Sequence, residues 1–464
     1  SLLSLTQPAP NPMQAQFDAM LRETARRELT PLIPAARAQR LLGAAYNAIP
    51  GNVTVGTLVT LNANSFNACT NVKSRVARVA GISNTAIVVA DTANPAGGFT
   101  DAEYQSFATV FDTLINPLDV ANFGQPSDID GNGKIIIFFT KEVNALTPKT
   151  STDGFVGGSF FERDLFPLVT QNNLTGCAGS NVAEMFYMLV PDPNGAYSIP
   201  HTKDYVSSVT PGTLAHEYQH LINASRRLFV NNASSFEDGW LNEGLSHIAE
   251  ELAFYKVSGL SPRQNINVNQ LTANTAITNY FFQYFGGNLS RFEIFLGQPA
   301  QTSVYAGNDS LQTRGATWSL LRYLADQRNA PDADTWQRLV NTTLTGKANL
   351  ANVFGADYMT QIGNWAISIF SDDDGVTDQR FTQPSWNMRS IFPQIADANG
   401  NAVGRYPLAV LPLSDAAPVR TSVFAGGAAY IRFGVSSGSQ ASVDWTSAGL
   451  PVSPLMQISI MRTK

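Results

Sequence analysis

His216 and His220 stand four residues apart with Glu217 between them, in a chain of 464 residues that holds 4 histidines. Helical residues at i and i+4 share a face, so both imidazoles can reach one ion. The pattern His-Glu-Tyr-Gln-His therefore offers two neutral nitrogen ligands and an open coordination position. It also offers a carboxylate angled toward a metal-held water, and together these are what a zinc hydrolase needs. The same pattern also arises by chance, so it requires a partner. Upstream, Thr210 reads as the N-cap and Pro211 as the first helical residue, with Leu214, Tyr218, Leu221 and Ile222 on the packed side.

A second amphipathic helix begins near Asp238. Its core side is Leu241, Leu245, Ile248, Leu252 and Tyr255, and its other side presents Glu243, His247 and Glu250. Residues 221–242 suffice to end one helix, turn, and return the next antiparallel, which would bring Glu243 in as an acidic third ligand. A solvated face accounts for Glu250 and Glu251 equally well, but not for the lead-in Trp240-Leu-Asn-Glu243-Gly.

His-Glu-x-x-His followed by that lead-in resembles the gluzincin metallopeptidases, the class of thermolysin and the zinc aminopeptidases. The strings HEYQHLIN (216–223) and WLNEGLSH (240–247) are most similar to the hyicolysin family of secreted bacterial neutral zinc metallopeptidases. The specific motifs cover about 211–252, with weaker similarity expected over 100–375. The resemblance implies His216, His220 and Glu243 as Zn2+ ligands, and Glu217 as general base for an activated water that hydrolyses a peptide bond. It also implies a zincin-like fold, a twisted sheet above the two helices. Where thermolysin-like enzymes carry an Asp four residues after the third ligand, this chain has His247. Either His247 or Glu250, one turn on, offers a hydrogen-bond partner to orient a zinc histidine. The family's oxyanion donor is commonly a Tyr or His after the third ligand. No histidine follows His247, which leaves Tyr305, in a loop, and Arg314, at a helix start. Tyr280 and Tyr284 read as core aromatics, and His201, in a Pro-flanked loop, as incidental.

These residues need elements to hold them. Residues 14–44 carry helical spacing interrupted by Pro31, and 49–93 shift to a period near two. Thr100 with Glu103 forms a capping box ahead of a helix over 100–118, and 134–139 is a strand. Residues 207–375 are mostly helical, and 376–464 return to short strands at 405–413, 428–435, 441–445 and 456–461. The expectation is an α+β protein in three parts. Residues 1–99 form an N-terminal helix and β-rich region, and 100–375 a zinc metallopeptidase catalytic domain in which a helical subdomain follows the sheet and active-site helix. Residues 376–464 are a C-terminal β-sandwich. Between them, Asp128, Asp130 and Asn132 with Gly133 form the first half of a Ca2+-binding loop. Phe139 at the twelfth position excludes an EF-hand, so a tight polar turn and a weak calcium site both remain open.

The charges sum to 30 − 36 = −6, with a pI near 5.3, and no basic stripe exists to hold a nucleic-acid backbone. Hydrophobic residues at 44% exclude wholesale disorder. The longest apolar runs are strand-sized, so no membrane span is expected. Charged residues are 14%, against roughly 25% in average soluble domains. That fits a secreted surface, and in an oxidising compartment Cys69 and Cys177 would form one disulfide; buried free thiols are the alternative. Ser1–Pro12 reads as a mature end after processing. The expected function is a secreted bacterial zinc endopeptidase, a monomer acting on protein or peptide substrates, since no acidic motif is evident for a free α-amine. A rival reading is an adhesin or carbohydrate-binding protein on the same scaffold, with 376–464 as its working part. An intact Glu217 argues against it, because decay usually strikes that residue first.

Overall fold

The computed structural model describes residues 11–41, 49–395, 404–415, 417–447 and 449–463, so the N-terminal stretch read as a processed end lies almost wholly outside it. The period-two segments become β1 (Leu58–Asn62), β2 (Ser74–Ile82) and β3 (Ala86–Asp91). With β4 (Ile135–Phe139), β5 (Gly158–Ser159) and β6 (Met185–Met188) they form one six-stranded sheet of order β1-β2-β3-β4-β6-β5. β1, β2 and β3 pair antiparallel, β3, β4 and β6 parallel, and β5 closes one edge antiparallel to β6. β3, β4 and β6 are buried along their whole length, as central parallel strands covered on both faces must be.

The N-terminal arm is α1 (Pro12–Thr24) and α2 (Ile33–Leu41). Pro31 does not break it: a π turn at Ala25–Leu29 and a 3-10 turn at Thr30–Leu32 carry the helical path past the missing N–H. α3 (Asp101–Val110) starts on the Thr100–Glu103 capping box, and α4 (Asn116–Phe123) and the short α5 (Lys141–Asn144) flank β4. α6 (Lys203–Phe229) and α7 (Gly239–Ser258) are the two long helices expected to carry the chemistry. α6 begins eight residues before the expected start. Thr202 is its N-cap, accepting from Tyr205 N at 3.2 Å, and Pro211 lies inside the helix. Thr210 is an interior residue whose hydroxyl donates to Val206 O at 2.7 Å, and Thr213 does the same to Val209 O, stapling the turns that flank the proline.

The helical half continues through α8 (Val268–Leu271), α9 (Thr275–Tyr280), α10 (Gly286–Gly297), α11 (Leu311–Gln327), α12 (Asp332–Val340), α13 (Gly346–Phe354), α14 (Tyr358–Ser371) and α15 (Met388–Ile391). Neither expected boundary falls between packed units. β1–β3 share a sheet with β4, and Trp386 stacks on Phe285 at 4.1 Å while donating to Glu251 Oε1 at 2.7 Å. Both strands of structure around residues 99 and 375 therefore belong to one hydrophobic core.

The β-sandwich expected after residue 376 is not formed by the described residues. They give a parallel pair, β7 (Val410–Pro412) with β8 (Tyr430–Arg432), and an antiparallel pair, β9 (Thr446–Ser447) with β10 (Leu450–Pro451). Strands of two or three residues bury too little apolar surface to make two facing sheets, and Leu455, in this stretch, is 95% exposed. Cys69 and Cys177 are disulfide-bonded, joining the loop after β1 to the segment before β6.

Candidate metal centre

α6 and α7 pack side by side, and their facing polar residues meet in the interior. His216 Nε2 lies 3.1 Å from His220 Nε2 and 3.4 Å from Glu243 Oε2, and His220 Nε2 lies 3.4 Å from Glu243 Oε1. A tetrahedral ion with bonds of about 2.0–2.1 Å sets its ligands about 3.3 Å apart, so this donor set fits zinc. Both carboxylate oxygens of Glu243 are buried, with Arg314 2.9 Å from Oε2 and Arg22 3.5 Å from Oε1, and with the two histidines they form a donor set that could hold a metal ion.

The other ring nitrogens determine which ones face the centre. His216 Nδ1 meets Glu250 Oε1 at 2.6 Å, so the Nδ1–H donates and leaves the Nε2 lone pair free. Ser246 Oγ donates to Gln219 Oε1 at 2.8 Å and lies 3.0 Å from His220 Nδ1, so it accepts from that nitrogen and frees Nε2 likewise. His247 joins His216 and Glu250 in a second group of possible metal donors. Its Nδ1 lies 3.1 Å from the same Glu250 Oε1, and burial together with Arg291 holds it down to about 3, neutral. One oxygen of Glu250 thus meets the Nδ1 atoms of both His216 and His247.

Burial disfavours a charged His216, yet Glu243 and Glu250 outweigh it and raise the imidazole to about 10. Burial and Arg22 push His220 well down. Burial would raise Glu243, but Arg314 and His220 carry it well below the usual carboxylate range. Glu217, beside His216, is pushed up to about 8 by burial, against the pull of His216. Strand β5 passes directly over it: a Cβ on Gly158 would stand 3.5 Å from Glu217 Cγ.

Arg314 reaches the centre, with Nη1 2.9 Å from Glu243 Oε2, but its other donors are engaged by Asp309 (Nε–Oδ1 3.0 Å, Nη2–Oδ2 2.6 Å) and Asp18 (3.0 Å). Tyr305, the other donor candidate, packs its ring against Trp240 and Lys347 and beneath Gly426. His201 is buried, its ring 4.7 Å from that of Phe155, so it packs under the segment leading to β5.

Arm residues complete the surroundings, and sequence reasoning missed them. Arg22 of α1 lies 2.9 Å from Glu162 and 3.5 Å from Glu243 Oε1, and Asp18 pairs with Arg314. The spacing of Gln14, Asp18 and Arg22 at i, i+4 and i+8 was the available signal, indistinguishable from a solvated helix face. The 128–132 loop closes on its own groups: Asp128 accepts from Gly133 N, Asp130 from Asn132, and Asn132 from Lys134 N. Glu184 joins it, accepting from Ser127 Oγ and Ile129 N, and Asp128, Asp130 and Glu184 each bring a carboxylate oxygen within 4.8 Å of the others.

No protein-family model matches the chain. It is 29% identical over 241 residues to the neutral metalloprotease ShpI of Staphylococcus hyicus, an alignment covering 47% of this chain and 50% of that protein. The chain thus spans about half the length of the curated relative it matches.

Proposed function

We propose that the chain is a secreted zinc-dependent endopeptidase of the gluzincin class, with His216, His220 and Glu243 as metal ligands and Glu217 as general base. The observation that carries the reading is the convergence of two Nε2 atoms and the buried Glu243 carboxylate at 3.1–3.4 Å beside Glu217. The likeness to a neutral metalloprotease supports it. A bound zinc would supply Lewis-acid polarisation of the scissile carbonyl and activation of water. Glu217 takes the attacking water's proton and delivers it to the leaving amine. A carboxyl pushed up by burial is matched to that exchange near neutral pH. Glu250 and Ser246 fix the tautomers of the two histidines, and Arg314 neutralises the charge around Glu243. The disulfide Cys69–Cys177 supports an oxidising, extracytoplasmic setting.

The test is cleavage of casein and a diverse peptide library by the zinc-loaded chain. Cleavage should be abolished by a chelator and by Glu217→Ala, with the variant retaining one zinc per chain. A zinc-loaded chain that cleaves no peptide, intact or with α1 displaced, overturns the reading, as does full activity in Glu217→Ala.

A further inference from the structure

The residues of the candidate centre are inaccessible: His216 is 8% exposed, Glu217 4%, His220 1% and Glu243 0%. A polypeptide cannot reach Glu217 while that cover stays in place, and part of the cover is α1. One apolar face of this helix, Phe17 and Leu21, enters the core. Its polar face is not left to solvent. Gln14, Asp18 and Arg22, successive turns of one stripe, run from β5 to the third ligand. Gln14 Nε2 donates to Asp18 Oδ1 at 2.8 Å, Asp18 meets Arg314, and Arg22 reaches Glu162 and Glu243.

The stripe begins on the one edge of the sheet that borders Glu217. β5 is the terminal strand of the sheet order, so its outward backbone groups form a template for an added strand. Two side-chain carboxamides bond to the start of that strand and to the segment leading into it. Asn11 Oδ1 accepts from Phe155 N at 3.0 Å and its Nδ2 donates to Phe155 O at 2.7 Å. Gln14 Oε1 accepts from Gly157 N at 2.7 Å and its Nε2 donates to Gly158 O at 3.1 Å. A carboxamide offers the same N–H and C=O as a peptide group, so Asn11 and Gln14 occupy the positions an extended polypeptide would take beside the catalytic carboxylate.

We infer that α1 is an autoinhibitory strap: Asn11 and Gln14 latch it to β5 and the segment leading into it, and the chain hydrolyses polypeptides only when this latch opens. The inference rests on the peptidase reading above and adds regulation to the same site. Neither latch residue touches the proposed ligands or Glu217, so opening the latch leaves the chemistry intact. A helix that served only to support the site would behave oppositely, because loosening it would cost activity.

The experiment compares the full-length, zinc-loaded wild type with the double variant Asn11→Ala/Gln14→Ala, using a fluorogenic peptide of eight residues. The expected result is a rise in kcat/KM of at least tenfold at equal zinc content. An equal or lower rate in the variant overturns the strap while leaving the peptidase reading standing. No cleavage by either protein, both holding zinc, overturns the peptidase reading and the strap with it. A second measurement needs no variant: hydrogen exchange of the wild type with a peptidyl hydroxamate bound. The strap requires faster exchange across residues 12–24 on binding, whereas tight binding with those amides still protected overturns it.

Discussion

Glu250 occupies an unusual position, with two imidazole Nδ1 groups converging on one carboxylate oxygen at 2.6 and 3.1 Å. Glu250→Gln halves the charge-assisted hydrogen bonding that fixes His216 and should lower zinc affinity roughly 10–100-fold, read by competition with a chromophoric chelator. An unchanged affinity would show that His216 is oriented by packing alone. The acid–base balance of His216 gives a second prediction. Glu243 and Glu250 raise it to about 10 in the metal-free protein, so at pH 7–9 zinc must displace a proton from it. His220 is pushed down and contributes no proton. Apparent zinc affinity should therefore rise about tenfold per pH unit between 7 and 9, with one proton released. A flat profile in chelator-buffered titrations would mean that His216 is neutral without metal. At this scale the ligands were legible because their spacing has a mechanism. The choice between His247 and Glu250 was not, since both share the ligand face of α7 and only its packing against α6 decides which one reaches His216.

Elements whose pattern is self-contained were read well. The apolar runs of β3 and β4 and the Thr100–Glu103 cap need only their neighbours in sequence. The start of α6 was misread because Pro211 is favoured at a first turn, and nothing local reveals that hydroxyls at 210 and 213 bond back across it. Glu184, at the entry to β6, shows how placement alone changes a residue's chemistry. Burial pushes it up to about 8, against the hydrogen bonds from Ser127 and Ile129, with Asp130 and Asp128 adding repulsion. Its folded pKa exceeds the unfolded value, so its contribution to stability is complete below about 4.5 and is lost as pH rises through about 8. Between pH 5.5 and 8.5 the wild type should lose a few kcal/mol more stability than Glu184→Gln, on the order of 1.4 kcal/mol per pKa unit, in urea midpoints at the two pH values. If the loop is a polar turn, millimolar calcium at pH 8.5 leaves the wild-type midpoint where it was. A recovery on adding calcium would instead make Asp128, Asp130 and Glu184 a cation site.

For the whole molecule, three parts were expected, because the pattern turns from period two to helical near residue 100 and returns to short strands after residue 375. Long-range pairing crosses the first of these boundaries: β3 and β4, drawn from different sides of residue 99, are adjacent parallel strands, and α1 reaches across to β5 and Glu243. The disulfide makes the consequence measurable. Cys69 and Cys177 lie on opposite sides of the expected boundary, 108 residues apart in sequence. Beside them Gly179 passes so close to Ala68 O that a side chain there would clash, and Ala68 N donates to Glu28 of the arm at 3.1 Å. Closing a loop of that length restrains the unfolded chain by about 4–5 kcal/mol on the chain-entropy account. Were 1–99 an independent domain, Cys69→Ala/Cys177→Ala would release it and split thermal unfolding into two calorimetric transitions. A shared sheet and core predict otherwise: one transition in the variant as in the wild type, moved to lower temperature as a unit, with the strands of 58–91 losing amide protection together with those of 135–188.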